Sequence, residues 1–203
     1  MHVRVYYHAN QGSKKGLVLF YRAGCVFSNF FPAEFQVIDE KNHALEFNTS
    51  EQYFMYNKAL LVGDNLIASE IMKETSPKKM KLWGRRLKMS KEQLKEWSTV
   101  SRDVMYRACR EKFAQNQNLR LYLFRTHEMT LAEASPTDKI WGIGLSKDDR
   151  RAKNPETWKG ANWLGQVLDR VRDELWERNE FSADRKKVEA EDLETRVQFL
   201  EKL

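Results

Sequence analysis

The sequence predicts an α+β fold that is mainly helical. Three observations predict it. Short apolar runs separated by turn residues crowd into the first fifty residues, as strands do. Capped segments with apolar residues at helical spacing fill most of the rest. A chain of 203 residues, 41% hydrophobic and with six tryptophans, also has enough large apolar side chains for a sizeable core.

The elements follow in order. Residues 1–16 are polar around a Gln11-Gly12-Ser13 turn. Leu17 to Tyr21 is a short strand and Ala23-Gly24 a turn. Phe35 to Asp39 and Ala44 to Phe47 pair as a hairpin through Glu40-Lys41-Asn42-His43. Thr49 with Gln52 fits a capping box, and Gly63 closes the helix that it opens. Asp64 caps a second helix with Leu66, Ile67, Ile71 and Met72 as its stripe. Ser76-Pro77 opens a third, with Gly84 as its stop. Ser90 and Gln93 box a short helix that ends at Trp97. Residues 99–115 form an amphipathic helix on Val100, Val104, Met105, Ala108, Cys109 and Phe113. Asn118 to Phe124 reads as a further helix or as a strand. Leu164, Val167, Leu168, Val171 and Leu175 mark a last core helix. From Asn179 the chain is strongly charged, with Val188, Leu193, Val197 and Leu200 near helical spacing. That segment is an appended amphipathic helix, either docked on the domain or a surface for self-association.

Composition bounds the function classes. No stretch approaches the roughly 18 apolar residues of a membrane span, and the N-terminus lacks a signal-peptide core, so no membrane partner is expected. Two cysteines, Cys25 and Cys109, are too few for a disulfide framework, and no Cys/His cluster has metal-ligand spacing. A reduced, cytoplasmic setting follows, or a nuclear one in a eukaryote. The net charge is +6, with 180–203 at −2 and 1–179 at +8. That balance suits a phosphate-bearing or nucleic-acid partner, and it also suits plain solubility.

Three stretches carry chemistry. In the Thr49 helix, Glu51 and Lys58 are seven apart and share a face, about 10 Å apart along the axis at 1.5 Å per residue. Glu51 sits in the first turn, where the helix dipole favours its charged form. Together they could flank a small polar electrophile. They also fit a surface helix start and a solvated lysine. In Val26 to Pro32, Asn29 could meet a substrate hydroxyl or base edge with Phe30 or Phe31 as a stacking platform, or could cap backbone groups in an aromatic loop. Leu131 to Leu145 combines Glu133, Asp138, Trp141, Gly142 and Gly144. Asp138 is a candidate acid or base, Trp141 a lid or stacking partner, and the glycine amides an anion site. Lys78, Lys79, Lys81, Arg85, Arg86 and Lys88 are the densest basic patch and the candidate for phosphate contacts.

Taken together the motifs resemble one family. Ser28-Asn29-Phe30, Ser50 to Met55, Lys58-Ala59, Gly84-Arg85, Trp97, Lys112-Phe113, Thr126, Leu131 to Ser135, Asp138, Trp141 to Gly144, Trp158 with Gly160 and Asn162, and Leu164-Gly165 occur in the order of the NADAR, or YbiA-like, proteins. The likeness covers residues 17–178 and leaves 1–16 as an extension and 179–203 as the charged helix.

The resemblance implies a compact, mainly helical α+β domain that hydrolyses N-glycosidic bonds without a cofactor. Two activities go with such proteins. One removes ADP-ribose from guanine in DNA or free guanine nucleotides. The other cleaves ribosylamine intermediates of riboflavin biosynthesis. Both substrates join ribose C1 to an exocyclic amine beside phosphate. Glu51 could stabilise an oxocarbenium-like state or activate water, and Asp138 could serve as acid/base or hold sugar hydroxyls. A neutral Lys58 could instead capture the ring-opened sugar as a Schiff base, which requires partial burial to lower its pKa. The guanine-directed members favour that lysine route. Asn29, Phe30, Trp97 and Trp141 are expected around sugar and base, with Arg85 and the Gly142–Gly144 backbone at phosphate. A non-catalytic module binding ADP-ribose or nucleic acid is the alternative outside enzymology.

Overall fold

Two small sheets and eight α-helices make up the structure, a computed structural model that describes residues 2–7, 16–39 and 42–203. One sheet holds β1 (Val3–Tyr7), β2 (Gly16–Phe20) and β5 (Met129–Glu133), and the other holds β3 (Phe35–Ile38) and β4 (Ala44–Phe47). The helices are α1 (Ser50–Val62), α2 (Asn65–Lys73), α3 (Pro77–Arg86), α4 (Lys91–Gln115), α5 (Gln117–Arg125), α6 (Trp163–Glu177), α7 (Ser182–Glu189) and α8 (Leu193–Glu201). The fold is α+β and mainly helical, as the sequence predicts. The Gln11-Gly12-Ser13 turn and residues 40 and 41 of the hairpin turn lie outside the described residues.

The chain divides into two units, residues 29–116 and residues 1–28 with 117–203. In the first, α1 is the hub, packed against α2, α3 and α4. Thr49 accepts a hydrogen bond from the Gln52 amide at 3.1 Å, and the Gln52 side chain answers at Asn48 rather than at Thr49. Gly63 ends α1 at φ 81°, a conformation in which a side chain is strained. Asp64 caps α2 as expected, but Leu66 is 83% exposed and the buried positions are Ala68 and Ile71.

Gly84 does not stop α3. It lies within the helix, and a methyl added there would run into Met55 of α1. The glycine is a close-approach residue. The predicted break near Trp97 is also absent, and α4 runs unbroken for 25 residues. Ser98 and Thr99 turn their hydroxyls back to the carbonyls of Lys95 and Glu96, at 2.6 and 2.7 Å, instead of capping a new helix.

In the second unit, β2 pairs antiparallel with β1 and parallel with β5. Residues 1–16 thus contribute a strand. Leu131 to Glu133, the start of the stretch that carries Asp138, belong to β5, whose Met129, Leu131 and Ala132 are fully buried. Residues 117–125 are helical. The tail is two helices, α7 and α8, rather than one. Buried ion pairs hold it to α5. Asp184 takes Arg120 at 2.7 and 2.9 Å, and Glu191 takes Arg125 at 2.7 and 2.8 Å. Val188, Val197 and Leu200 are buried, so the tail's apolar stripe is covered within its own chain.

Candidate active site

One face of α1 gathers the first group of candidates. Residues 51, 54, 55 and 58 follow at spacings of three and four and so line one side of the helix. Glu51 is 5% exposed, and its amide donates to the Asn29 carbonyl at 3.1 Å, tying the aromatic loop to the first turn of α1. The buried Asn29 side-chain oxygen accepts no hydrogen bond among the described residues. Phe54 packs on the half-buried Trp97, with ring centroids 4.9 Å apart.

Lys58 is half-buried, and its Nζ donates to the Gly84 carbonyl at 3.4 Å. Burial moves its pKa below the usual lysine value, while the Glu51 carboxylate pulls it part of the way back. An amine in that setting is more often neutral than a surface lysine, and neutral amines are nucleophiles.

Three residues near this face lie in the family motifs but had no role assigned from sequence. Phe54 lies four residues before Lys58 on the same face, and the Gly84 carbonyl receives the Lys58 amine; neither is chemically conspicuous. Lys112 is 1% exposed, with Nζ 5.5 Å from the Phe31 ring centroid and 5.1 Å from that of Phe113. Its signal was present, because it falls between Cys109 and Phe113 in an otherwise apolar stripe. Cys109 is a core residue whose thiol burial pushes up to about 11.

The basic patch lies on α3 and just beyond it. Lys78, Lys79, Arg85, Arg86 and Lys88 are exposed. Lys81 sits over the Phe30 ring at 5.8 Å, and Arg86 over Trp83 at 4.4 Å.

The other unit carries the Asp138 loop. Asp138 Oδ1 accepts from the amides of Ile140 and Trp141, at 2.9 and 2.8 Å. It therefore builds the loop that presents Trp141, whose ring meets Trp163 edge-on at 5.7 Å. Gly142 and Gly144 are buried. The Ile143 amide donates to Glu133 and the Gly144 amide to Asp138, so these two donors already serve the loop. Gly144 has φ 67°, which explains that glycine without a ligand. Asn162 completes the region. Its side chain bonds both the Glu133 amide and the Leu131 carbonyl, continuing β5 toward α6.

The fold and the α1 face define a NADAR-type protein. The NADAR domain model matches residues 19–176, and the chain belongs to the NADAR family. It is 58% identical to protein irg-1 of Caenorhabditis elegans, over 99% of this chain and 98% of that one. It is 37% identical to N-glycosidase R617 of Acanthamoeba polyphaga mimivirus, over 73% and 86%. The maize chloroplastic riboflavin biosynthesis protein PYRR matches at 32%, over 78% of this chain and 25% of its own. The solved structure of Escherichia coli YbiA aligns with a TM-score of 0.62 at 28% identity, over 82% and 87%. N-glycosidases are thus among the members of the family.

Proposed function

We propose that this protein is an N-glycosidase that removes ADP-ribose from guanine, in DNA or in free guanine nucleotides, through a Schiff base on Lys58. The observation that carries this reading is the half-buried Lys58, its pKa lowered by burial, on the same helix face as the buried Glu51.

The chemistry runs in balanced steps. The ribosylamine ring opens as O4′ takes a proton, leaving C1′ doubly bonded to the guanine nitrogen. Neutral Lys58 adds its nitrogen to C1′. A proton moves to the guanine nitrogen, that C–N bond breaks, and guanine leaves as the free amine. Water then adds to the lysine iminium, the C1′–lysine bond breaks, and ADP-ribose closes its ring. The sum is one water consumed. Glu51 handles the proton transfers at C1′, a role worth about 10²–10⁴-fold in rate. The unsatisfied Asn29 oxygen accepts from a substrate N–H or O–H. Phe30 and Trp97 offer aromatic faces to the base or sugar, and Arg85 a charge for phosphate. Asp138 serves by holding the Trp141 loop.

The maize relative motivates a second substrate, a ribosylaminopyrimidine phosphate, which poses the same bond to the same residues. Incubation with each substrate and chromatography of the products decides between them. Release of ADP-ribose from ADP-ribosyl-guanosine nucleotide is expected. Turnover of the pyrimidine substrate alone would overturn the guanine reading.

A further inference from the structure

The outer face of α3 is electrostatically unusual. Its ten residues hold five cations and no carboxylate. Lys78 and Lys79 stand at the helix start, where the dipole disfavours positive charge. Lys81 lies three residues after Lys78 and four before Arg85, spacings at which like charges repel. Lys88 extends the row. An ordinary solvated helix relieves such strain with interleaved acids. Here, among the described residues, the carboxylate within reach is Glu74, 3.9 Å from Lys79.

The opposite face of α3 is the one that meets α1. Met80, Gly84 and Leu87 are buried, and the Gly84 carbonyl receives the Lys58 amine. One short helix therefore carries the lysine's contact on its inner side and a cation row on its outer side. At 1.5 Å per residue the row from Lys78 to Arg86 spans about 12 Å, and Lys88 follows just past the helix end. Phosphates recur at every nucleotide of a strand, so a row of this length can meet several of them at once. A pyrophosphate offers only two. Half-buried Phe30 and Trp83 sit beneath Lys81 and Arg86, an arrangement of cation and ring that also accepts bases by stacking.

The geometry points to the outer face of α3 as a docking surface for the sugar-phosphate backbone of a single-stranded nucleic acid. Binding follows from the charge row alone. Its use in catalysis, holding the strand whose guanine is being cleared, rests on the function proposed above. Single-stranded substrate is favoured because a base within a duplex must first leave the stack.

The test uses the full chain and an unmodified single-stranded DNA oligonucleotide, with affinity read by fluorescence anisotropy across salt concentrations. A triple variant, Lys78→Gln, Lys79→Gln and Lys88→Gln, changes three exposed side chains. At roughly 0.7 per phosphate, the variant's log–log salt slope should be shallower by about 2. Raising salt from 50 to 200 mM should then weaken the wild type about 20-fold more than the variant. Release of ADP-ribose from a modified mononucleotide should be unchanged, while release from a modified oligonucleotide should need more substrate. No salt-dependent binding by the wild type, or equal slopes in the two proteins, would overturn the docking surface. Slope loss without turnover of either substrate would uphold the docking and defeat only the glycosidase reading.

Discussion

Gly84→Ala tests whether the spacing of α1 and α3 is set by one missing methyl group. The new Cβ would overlap Met55 Sδ and lie 3.3 Å from its Cγ and 3.6 Å from its Cε. Met55 is 8% exposed, so it has little room to retreat. Two effects oppose each other. Alanine in place of glycine within a helix gains about 1 kcal/mol, and overpacking costs about 1–3 kcal/mol. The net is a loss of up to about 2 kcal/mol, or a fall of up to about 8 °C in Tm for a chain this long. The single variant is therefore less informative than its cycle with Met55→Ala. Removing Met55 alone should cost about 2–5 kcal/mol. On the Gly84→Ala background the methyl fills part of the space, so the cost should drop by about 1–3 kcal/mol. Chemical denaturation of the four proteins measures this coupling. Additivity within about 0.5 kcal/mol would refute the close-approach argument. Activity should fall in Gly84→Ala and recover in the double variant, because the Lys58–Gly84 hydrogen bond is already 3.4 Å long.

Three more outcomes are expected. Asp184→Ala removes the carboxylate that holds the buried Arg120 and should cost about 3–5 kcal/mol, most of it regained by adding Arg120→Met; calorimetry reads both. Asp138→Asn keeps an oxygen for the Ile140 and Trp141 amides and should hold kcat/KM within about tenfold of wild type, whereas a loss of about 10²–10⁴ would make Asp138 an acid or base. Activity should rise with pH as Lys58 becomes neutral. Because the Glu51 carboxylate raises the Lys58 pKa, Glu51→Gln should move that rise to lower pH while slowing the rate, and a shift to higher pH would contradict the pairing.

What the sequence made legible was local. The Thr49 and Ser90 caps, the Gly63 terminus and the shared face of Glu51 and Lys58 all depend on residues within two turns. Features that depend on distant partners were not legible. Strand β1 gains its partner only in β2, and β5 pairs with a strand more than a hundred residues earlier. Asp184 and Glu191 look like surface acids until Arg120 and Arg125 close on them across 64 and 66 residues. Gly84 reads as a stop because a glycine's local meaning is to end helices, and only Met55 reveals the packing. The break expected after Trp97 is absent because the Ser98 and Thr99 hydroxyls bond backward within a continuing helix. At the site, position on a helix face was readable, but burial was not. The depth of Lys58, the enclosure of Lys112 and the loop-building bonds of Asp138 arise only in the folded chain.

In the proposed mechanism Lys58 becomes covalently joined to the sugar. Mixing the protein with ADP-ribosyl-guanosine nucleotide and borohydride would reduce such an iminium to a stable amine, visible by intact-mass and peptide mass spectrometry. An ADP-ribose adduct is expected on the peptide carrying Lys58 and absent from Lys58→Met, with catalysis lost in that variant and its fold retained. Release of ADP-ribose by Lys58→Met at the wild-type rate would contradict it.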